Sequence, residues 1–294
     1  TNIDPEHLDY YGDFEALKAA FRAFVDRVPF YGTAVLCIDH PEVQSLIGQL
    51  SDHRVVSYGL SPQADVRADN IKFTKGGADF DVVISERVDD GPRTIKKFRL
   101  NMPGLHNVQN AIAAVAVGLE MGMSDAGMRE AFLGFKGVQR RFTRVGEAGG
   151  VTVIDDYGHH PVEIAAVLAA ARGAYEGRIV AVVQPHRFSR LENLFDDFCT
   201  AFNDADEVVV TPVYAAGEQP IPGIDSAALA EGLRRHGHRK THLIEGPDDL
   251  APLIADIAGP GDLVVCLGAG TITKWANDLP EALERIALER REKA

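Results

Sequence analysis

Two loops in the second half of the sequence concentrate side chains that can bind charged small molecules. Residues 154–161 read Ile-Asp-Asp-Tyr-Gly-His-His-Pro, and residues 184–190 read Gln-Pro-His-Arg-Phe-Ser-Arg. Each loop follows a short apolar run that predicts a buried strand. Two acids, a tyrosine and two histidines at the end of a strand would cost stability if they were only structural. We therefore interpret the first loop as part of a functional site.

The second loop carries two arginines, Arg187 and Arg190, which are three residues apart and can face one ligand together. A carboxylate is the natural target, because a guanidinium group binds it through paired hydrogen bonds. The alternative is a charged surface loop. Ligands of open α/β sheets bind beyond the carboxyl ends of the strands, and this position favours a binding role for both loops.

Three other segments have a second, purely structural interpretation. In residues 1–12, His7 can offer an imidazole nitrogen to a divalent cation, or the segment only starts a helix. In residues 103–110, Asn107 and Asn110 can contact an adenine edge, or Asn107 only caps a helix. In residues 137–142, Arg140 and Arg141 can bind phosphate oxygens, or they are surface charge.

Hydrophobic periodicity predicts the elements that position these segments. Residues 13–27 are expected to form an amphipathic helix, residues 66–100 antiparallel strands, and residues 107–121 an Ala-rich helix. From residue 151 onward, helical patterns separate five apolar runs, which predicts a parallel sheet covered on both faces. These runs are 151–154, 179–183, 207–211, 241–244 and 262–267.

The predicted fold class is therefore α/β, with two domains. Residues 1–140 would form the first domain, and residues 141–294 a Rossmann-like, doubly wound second domain with a mainly parallel sheet. The expected boundary lies in the glycine-rich stretch 137–150.

Composition excludes several classes of protein. The formal charge of −13 argues against a general affinity for nucleic acid. No run of 18 apolar residues occurs, so a membrane-spanning helix is not expected. The three cysteines lie far apart in apolar or helical surroundings, as in reduced cytoplasmic proteins. The oligomeric state stays open.

These segments, in this order, resemble the Mur ligase family of ATP-dependent, amide-bond-forming ligases of cell-wall synthesis. Within the family, residues 155–161, 184–190 and 214–226 look like the branch that adds L-alanine. The resemblance implies a central ATP-binding domain followed by a C-terminal domain that binds the amino acid. It also implies ATP and Mg²⁺ as cofactors, and UDP-N-acetylmuramate and L-alanine as substrates. The carboxylate of the first substrate would be phosphorylated by ATP, and the amine of alanine would then displace phosphate.

The family pattern also implies roles for individual residues. His7 matches a Mg²⁺ ligand; Asn107 and Asn110 match residues on the adenine side, with His106 beside them. Arg141 matches an arginine at the nucleotide phosphates, and Asp156 an acid at the ribose hydroxyls, whereas Asp155 would only support the loop. The positions around the substrate carboxylate and the amino acid are Tyr157, His159, Arg187 and Arg190. Arg141, His159, Arg187 and Arg190 would thus take part in catalysis.

One feature of the family is missing, namely the phosphate-binding loop G-x-x-G-K-[ST]. It would lie upstream of Thr1, so we expect the sequence to be a fragment of a longer protein. We expect these 294 residues alone to lack ligase activity. We also expect the first domain to be partly disordered or self-associating.

Three alternatives stay open on the sequence alone. A related ligase could recycle UDP-N-acetylmuramate with a tripeptide. A non-catalytic nucleotide-binding module would not need the clustered histidines and arginines. A dinucleotide-dependent oxidoreductase is disfavoured, because no G-x-G-x-x-G follows the first strand of the parallel sheet.

Overall fold

Alternating apolar residues in the first half of the chain and unbroken apolar runs in the second half build two separate β-sheets. The computed structural model describes residues 1–74, 76–88 and 91–292, apart from the side chain of Asp9. Its contacts divide the chain into a first unit, Thr1–Lys136, and a second unit, Gly137–Ala294. The division lies a few residues before the boundary expected from the sequence.

The described part of the first unit begins with two helices, continues with strands that one helix interrupts, and ends with two further helices. Its elements are α1 (Leu8–Tyr11), α2 (Phe14–Val25), β1 (Thr33–Cys37), α3 (Pro41–Ile47), β2 (Arg54–Gly59), β3 (Val66–Thr74), β4 (Gly77–Ile84), β5 (Arg93–Leu100), α4 (Leu105–Glu120) and α5 (Asp125–Gly134). The sheet order is β1-β2-β3-β4-β5. The first three strands are parallel, and β3, β4 and β5 pair antiparallel, as the alternation in residues 66–100 predicts.

Helix α4 supplies much of the core of the first unit. Its residues Val108, Ile112 and Val115 are fully buried and pack in one cluster with the strands and with Met128 of α5. The three- and four-residue spacing of these apolar positions directs them to a single face of the helix. Burial of that face fixes the start of α4, where the predicted adenine-side residues lie.

The second unit contains the parallel sheet. Its elements are β6 (Thr143–Ala148), β7 (Val151–Asp156), α6 (Pro161–Ala174), β8 (Ile179–Val183), α7 (Phe188–Asn193), α8 (Phe195–Thr200), β9 (Glu207–Val210), α9 (Ser226–Arg235), β10 (Thr241–Leu243), α10 (Pro247–Ile257), β11 (Leu263–Leu267) and α11 (Ile272–Glu292). The sheet order is β10-β9-β8-β11-β7-β6, and every pair except β6–β7 is parallel.

Both faces of this sheet are covered, because neighbouring residues of a strand point to opposite sides. In β8, Ala181 and Val183 join the core formed with α6, α8 and α9. Val180 and Val182 join the opposite core, formed with α10 and α11. The predicted α/β class with a mainly parallel, doubly wound second sheet is confirmed.

Strand β6 was not expected, since the sequence indicated only a glycine-rich junction at residues 137–150. It pairs antiparallel with β7, and its Gly146 lies under helix α11. A Cβ atom on Gly146 would come within 2.6 Å of the Pro280 side chain. The glycine therefore allows close packing of a helix on an edge strand, and does not mark a linker.

The three cysteines are free and buried, which agrees with the thiols expected from the sequence. In the described ranges, no helix is long and apolar enough to cross a membrane.

Two glycines close together in the second unit give a test of the packing. A Cβ on Gly177 would lie 2.0 Å from the carbonyl oxygen of Gly261, so Gly177→Ala must move backbone. We expect it to lower the free energy of unfolding by about 1–3 kcal/mol or more. Gly173→Ala is the matched control, since the site in α6 is open and alanine favours a helix by up to about 1 kcal/mol.

Denaturant titrations of the two variants measure this difference. Equal stabilities for Gly177→Ala and Gly173→Ala would contradict the close approach of Gly177 to Gly261.

Candidate functional site

The loops that follow β7, β8 and β9 meet at one edge of the second sheet. Leu267 at the end of β11 lies opposite Asp156 of β7 on one side and Val183 of β8 on the other. Because these strands are parallel, their carboxyl ends lie at the same edge, where open α/β sheets bind ligands.

Asp156 ties the end of β7 to the segment before β6. Its carboxylate accepts the backbone N–H of Phe142 and that of Gly158, both at 2.7 Å, and the residue is 2% exposed. Burial raises the pKa of Asp156 to about 6, although the two N–H groups and Arg141 oppose the shift. Both carboxylate oxygens therefore hold the loop in place, and the contact with ribose predicted for Asp156 stays a prediction.

The neighbouring Asp155 is also buried and also has structural partners. Its carboxylate accepts a hydrogen bond from the Thr273 hydroxyl at 3.2 Å and lies 3.8 Å from the guanidinium of Arg140. Arg140 donates to the carbonyl of Gly268 at 2.8 Å. These contacts join the end of β7 and the segment before β6 to the loop after β11 and the start of α11. The supporting role expected of Asp155 stays a prediction.

Two arginines lie against Tyr157. The guanidinium of Arg140 is 4.5 Å from the centre of the Tyr157 ring, and that of Arg141 is 5.8 Å from it. Arg141 also pairs with Glu163 at 3.3 Å, and its side chain is 43% exposed. An arginine paired on one side and open on the other can still bind a phosphate or a carboxylate.

Glu163 fixes the turn that leads into α6. It accepts the backbone N–H groups of His159 and His160, at 3.1 and 3.3 Å. Burial alone would raise the pKa of Glu163, but the hydrogen bonds, together with the charges of His159 and Arg141, lower it. An ionised Glu163 at the first turn of the helix is also favoured by the helix dipole.

Four aromatic side chains form a ring row across the three loops, namely Tyr157, His159, His186 and Tyr214. Consecutive ring centres are 5.2, 5.7 and 5.4 Å apart, and the last pair is stacked. The first two residues come from the loop after β7, the third from the loop after β8 and the fourth from the loop after β9. The ring row gives the strand edge a continuous, partly apolar lining.

The two arginines of the second loop lie beside the ring row. Arg190 contacts the Nδ1 atom of His186 at 3.3 Å. Arg187 lies 3.9 Å from Glu218, which itself accepts the N–H and hydroxyl of Ser189. The structure thus places the predicted residues Arg187 and Arg190 on the same edge as Tyr157 and His159.

Burial, together with the local charge, keeps His186 neutral. Burial, and then the charges of His159, Arg190 and Arg187, lower the pKa of His186 to about 4, while Glu218 opposes the shift. At neutral pH the edge therefore presents guanidinium charge around an uncharged imidazole. Such a surface suits an anionic ligand.

The predicted residues of the first unit have different surroundings. Asn107 is buried, and its amide donates to the carbonyl of Pro103 at 2.7 Å. Asn110, one turn further along α4, is exposed, and His106 is half-buried. The Asn107 amide therefore holds the turn before α4 from within the helix, whereas the helix is capped by Gly104 without a side-chain hydrogen bond, so Asn107 is not the cap. The adenine contacts of Asn107 and Asn110 stay predictions.

His7 precedes α1 in a left-handed backbone conformation and is exposed. Among residues 1–74, 76–88 and 91–292, no three His, Cys, Asp or Glu side chains form a group that could hold a metal. His7 can offer one imidazole nitrogen to a cation.

Some residues of this edge were not assigned roles from the sequence. His186, Tyr214, Glu163 and Glu218 all make contacts between loops or with the arginines. The only signal for His186 was its spacing of four residues from Arg190. Glu163 stands three residues after His160 in a capping-box pattern, a local signal that the sequence reading did not use. The contacts of Tyr214 and Glu218 join residues that are distant in sequence, and no local pattern reveals them.

Two family profiles match most of the chain. The Mur ligase middle domain matches residues 1–118, and the Mur ligase glutamate ligase domain matches residues 140–270.

Similar proteins of known name extend over nearly the whole chain. A UDP-N-acetylmuramate–L-alanine ligase of Rhodospirillum rubrum is 61% identical over 292 residues, which is 99% of this chain and 61% of that protein. Its counterpart in Gluconacetobacter diazotrophicus is 61% identical, and the match covers 97% of this chain and 60% of that protein. The chain thus spans about three-fifths of the length of these relatives.

Solved structures share the fold. The UDP-N-acetylmuramate–alanine ligase of Thermotoga maritima gives a TM-score of 0.73 at 24% identity, over 97% of this chain and 58% of that one. The MurF ligase of the same organism, in complex with ADP, gives 0.72 at 18% identity, over 98% and 61%. With both domain profiles and the high identity to named ligases in agreement, the chain belongs to the Mur ligase family.

Proposed function

We propose that this chain forms the nucleotide-binding and amino-acid-binding parts of an ATP-dependent ligase that joins L-alanine to UDP-N-acetylmuramate. The reaction would pass through an acyl phosphate on the substrate carboxylate, in the cytoplasmic stage of peptidoglycan synthesis. The observation that carries the proposal is the 61% identity, over 99% of this chain, to a protein named for that activity.

The edge of the second sheet supports the amino-acid end of the proposal. Arg187 and Arg190 would bind a substrate carboxylate, and the ring row would shape the space for the small alanine side chain. His159, 13% exposed and oriented by Tyr157 and Glu163, would contact the same ligand. Guanidinium groups that are already oriented when the reaction begins stabilise the charge that develops on an acyl phosphate.

Each unit contains residues that would contact the nucleotide. In the first unit, Asn110 and His106 would contact adenine, with Asn107 holding the turn behind them. In the second unit, Arg141 would bind phosphate oxygens, and Asp156 would act at the ribose or through the loop that it holds.

Mg²⁺ would be held mainly by the phosphates, because Mg²⁺ keeps several waters and few protein ligands in such sites. His7 is exposed and would supply one ligand. The ion would neutralise the two anions that the reaction brings together.

Two other functions compete with this one. A murein peptide ligase of Psychrobacter arcticus shares the fold with a TM-score of 0.62 at 20% identity, so a peptide in place of alanine is a real alternative. The much higher identity to alanine ligases favours alanine. A non-catalytic nucleotide-binding module is disfavoured by the arginines and histidines gathered at the strand edge.

The first test is an assay of phosphate release. The chain, joined to the part of the Rhodospirillum rubrum relative that it does not match, should release phosphate only with ATP, Mg²⁺, UDP-N-acetylmuramate and L-alanine together. Turnover with a tripeptide but not with alanine would favour the recycling ligase. Nucleotide binding without turnover with any amine would favour the non-catalytic module.

A second test separates the two ligand sites. In the same longer chain, Asp156→Ala should raise the KM for ATP about ten- to a hundredfold, because a charge-assisted hydrogen bond contributes roughly 1.5–3 kcal/mol. Arg190→Ala should raise the KM for one carboxylate substrate and leave that for ATP within about twofold.

Thermal unfolding of both variants is the accompanying control, since Asp156 also holds two backbone groups. The division of roles is wrong if both substitutions weaken the same ligand.

A further inference from the structure

His186 lies between an arginine and a stacked aromatic ring at the strand edge. On one side its Nδ1 atom is 3.3 Å from Nη1 of Arg190, and the same Nη1 also reaches the carbonyl of His186 at 3.4 Å. On the other side its ring stacks on Tyr214, with an angle of 18° between the planes. The imidazole therefore has a fixed orientation relative to the guanidinium.

The chemistry of the pair sets the proton on the imidazole. A guanidinium group has only donors, so the Nδ1 atom that faces Arg190 must accept. The ring must then be neutral and carry its proton on Nε2. An imidazolium would direct an N–H against the N–H of Arg190, and the contact would be lost.

The other groups that face His186 favour the same state. They are the ring of His159 after β7, Arg187 and Arg190 in the second loop, and Glu218 and Tyr214 after β9. Three of these five are basic and one is acidic, so a second proton on the ring is disfavoured. The pKa of His186 is lowered accordingly to about 4.

The backbone around His186 is also held in an unusual form. Residues His186 and Tyr214 form an isolated parallel bridge, with N–H groups of Arg187 and Tyr214 bonded across the two loops at 2.9 and 2.8 Å. Arg187 has a φ of 71°, a region that side chains other than glycine rarely adopt. Backbone strain of this kind is found most often at binding and active sites.

We propose that His186 is a positioning residue, which as a neutral Nδ1 acceptor holds the Arg190 guanidinium in the orientation that binds the substrate carboxylate. The role in binding rests on the proposed function, whereas the state of the imidazole does not. The ligand is a carboxylate, from either L-alanine or UDP-N-acetylmuramate.

The state of the imidazole can be measured in the 294-residue chain itself. Long-range ¹H–¹⁵N spectra should show His186 with its proton on Nε2 and with a pKa of about 4. Arg190→Met removes the donor and a neighbouring charge, so it should raise the pKa of His186 and allow both tautomers. A proton on Nδ1 in the unsubstituted chain, or no response to Arg190→Met, would overturn the proposal whatever the enzyme's activity.

A matched pair of substitutions tests the effect on binding in the longer chain described above. Asparagine places an acceptor oxygen where Nδ1 stood, whereas phenylalanine keeps the ring and removes the acceptor. His186→Phe should raise the KM for one carboxylate substrate about tenfold, with a smaller loss in kcat and little change in the KM for ATP. His186→Asn should recover most of that loss.

Separate KM values for L-alanine and UDP-N-acetylmuramate identify which carboxylate Arg190 binds. His236→Phe, an exposed histidine at the end of α9, is the control and should leave all constants unchanged. If His186→Asn were as impaired as His186→Phe, the ring and not its acceptor would matter, and the positioning role would be refuted.

Discussion

The parallel register of β7, β11 and β8 is the constraint on which the candidate site depends. Leu267 lies between Asp156 and Val183 in the ladder, so the strands on both sides of β11 end at the same level. Three loops that are far apart in sequence thereby lie close together, so that an aromatic ring of each loop contacts a ring of the next. A shift of one residue in this register would turn buried valines toward the opposite core and disconnect the loops.

Beyond the ends of the strands, polar contacts between loops hold the structure in place of the hydrogen bonds between neighbouring strands. Asp156 joins the end of β7 to the segment before β6, and Glu163 closes the turn into α6. Glu218, in the loop after β9, accepts a backbone N–H at the start of α7. Each carboxylate accepts backbone N–H groups that the ends of strands and helices leave unpaired. Buried or half-buried carboxylates therefore hold in place the loops that carry the arginines and aromatic rings of the site.

The sequence predicted the strands and helices better than the contacts between loops. Apolar runs such as 179–183 and 262–267 became β8 and β11, because a strand covered on both faces needs an unbroken apolar run. Strand β6 was not predicted, because the sequence does not distinguish a glycine that allows close packing from a glycine in a linker. Likewise, the buried carboxylate of Asp156 accepts the backbone N–H of Phe142, which is fourteen residues away. No spacing rule shows which of the two adjacent acids binds backbone N–H groups. The placement of Arg187, Arg190, Tyr157 and His159 at one edge was predictable, because the strand ends determine it.

Because β8 is buried on both faces, few amino-acid substitutions can be accommodated in this strand. Val182 and Val183 serve opposite cores, so any substitution in the strand must satisfy two packing environments at once. Residues 184–187, which follow the strand, belong to neither core cluster. A library that seeks altered ligand binding should therefore vary the loops after residues 156, 183 and 210 and leave the strands intact.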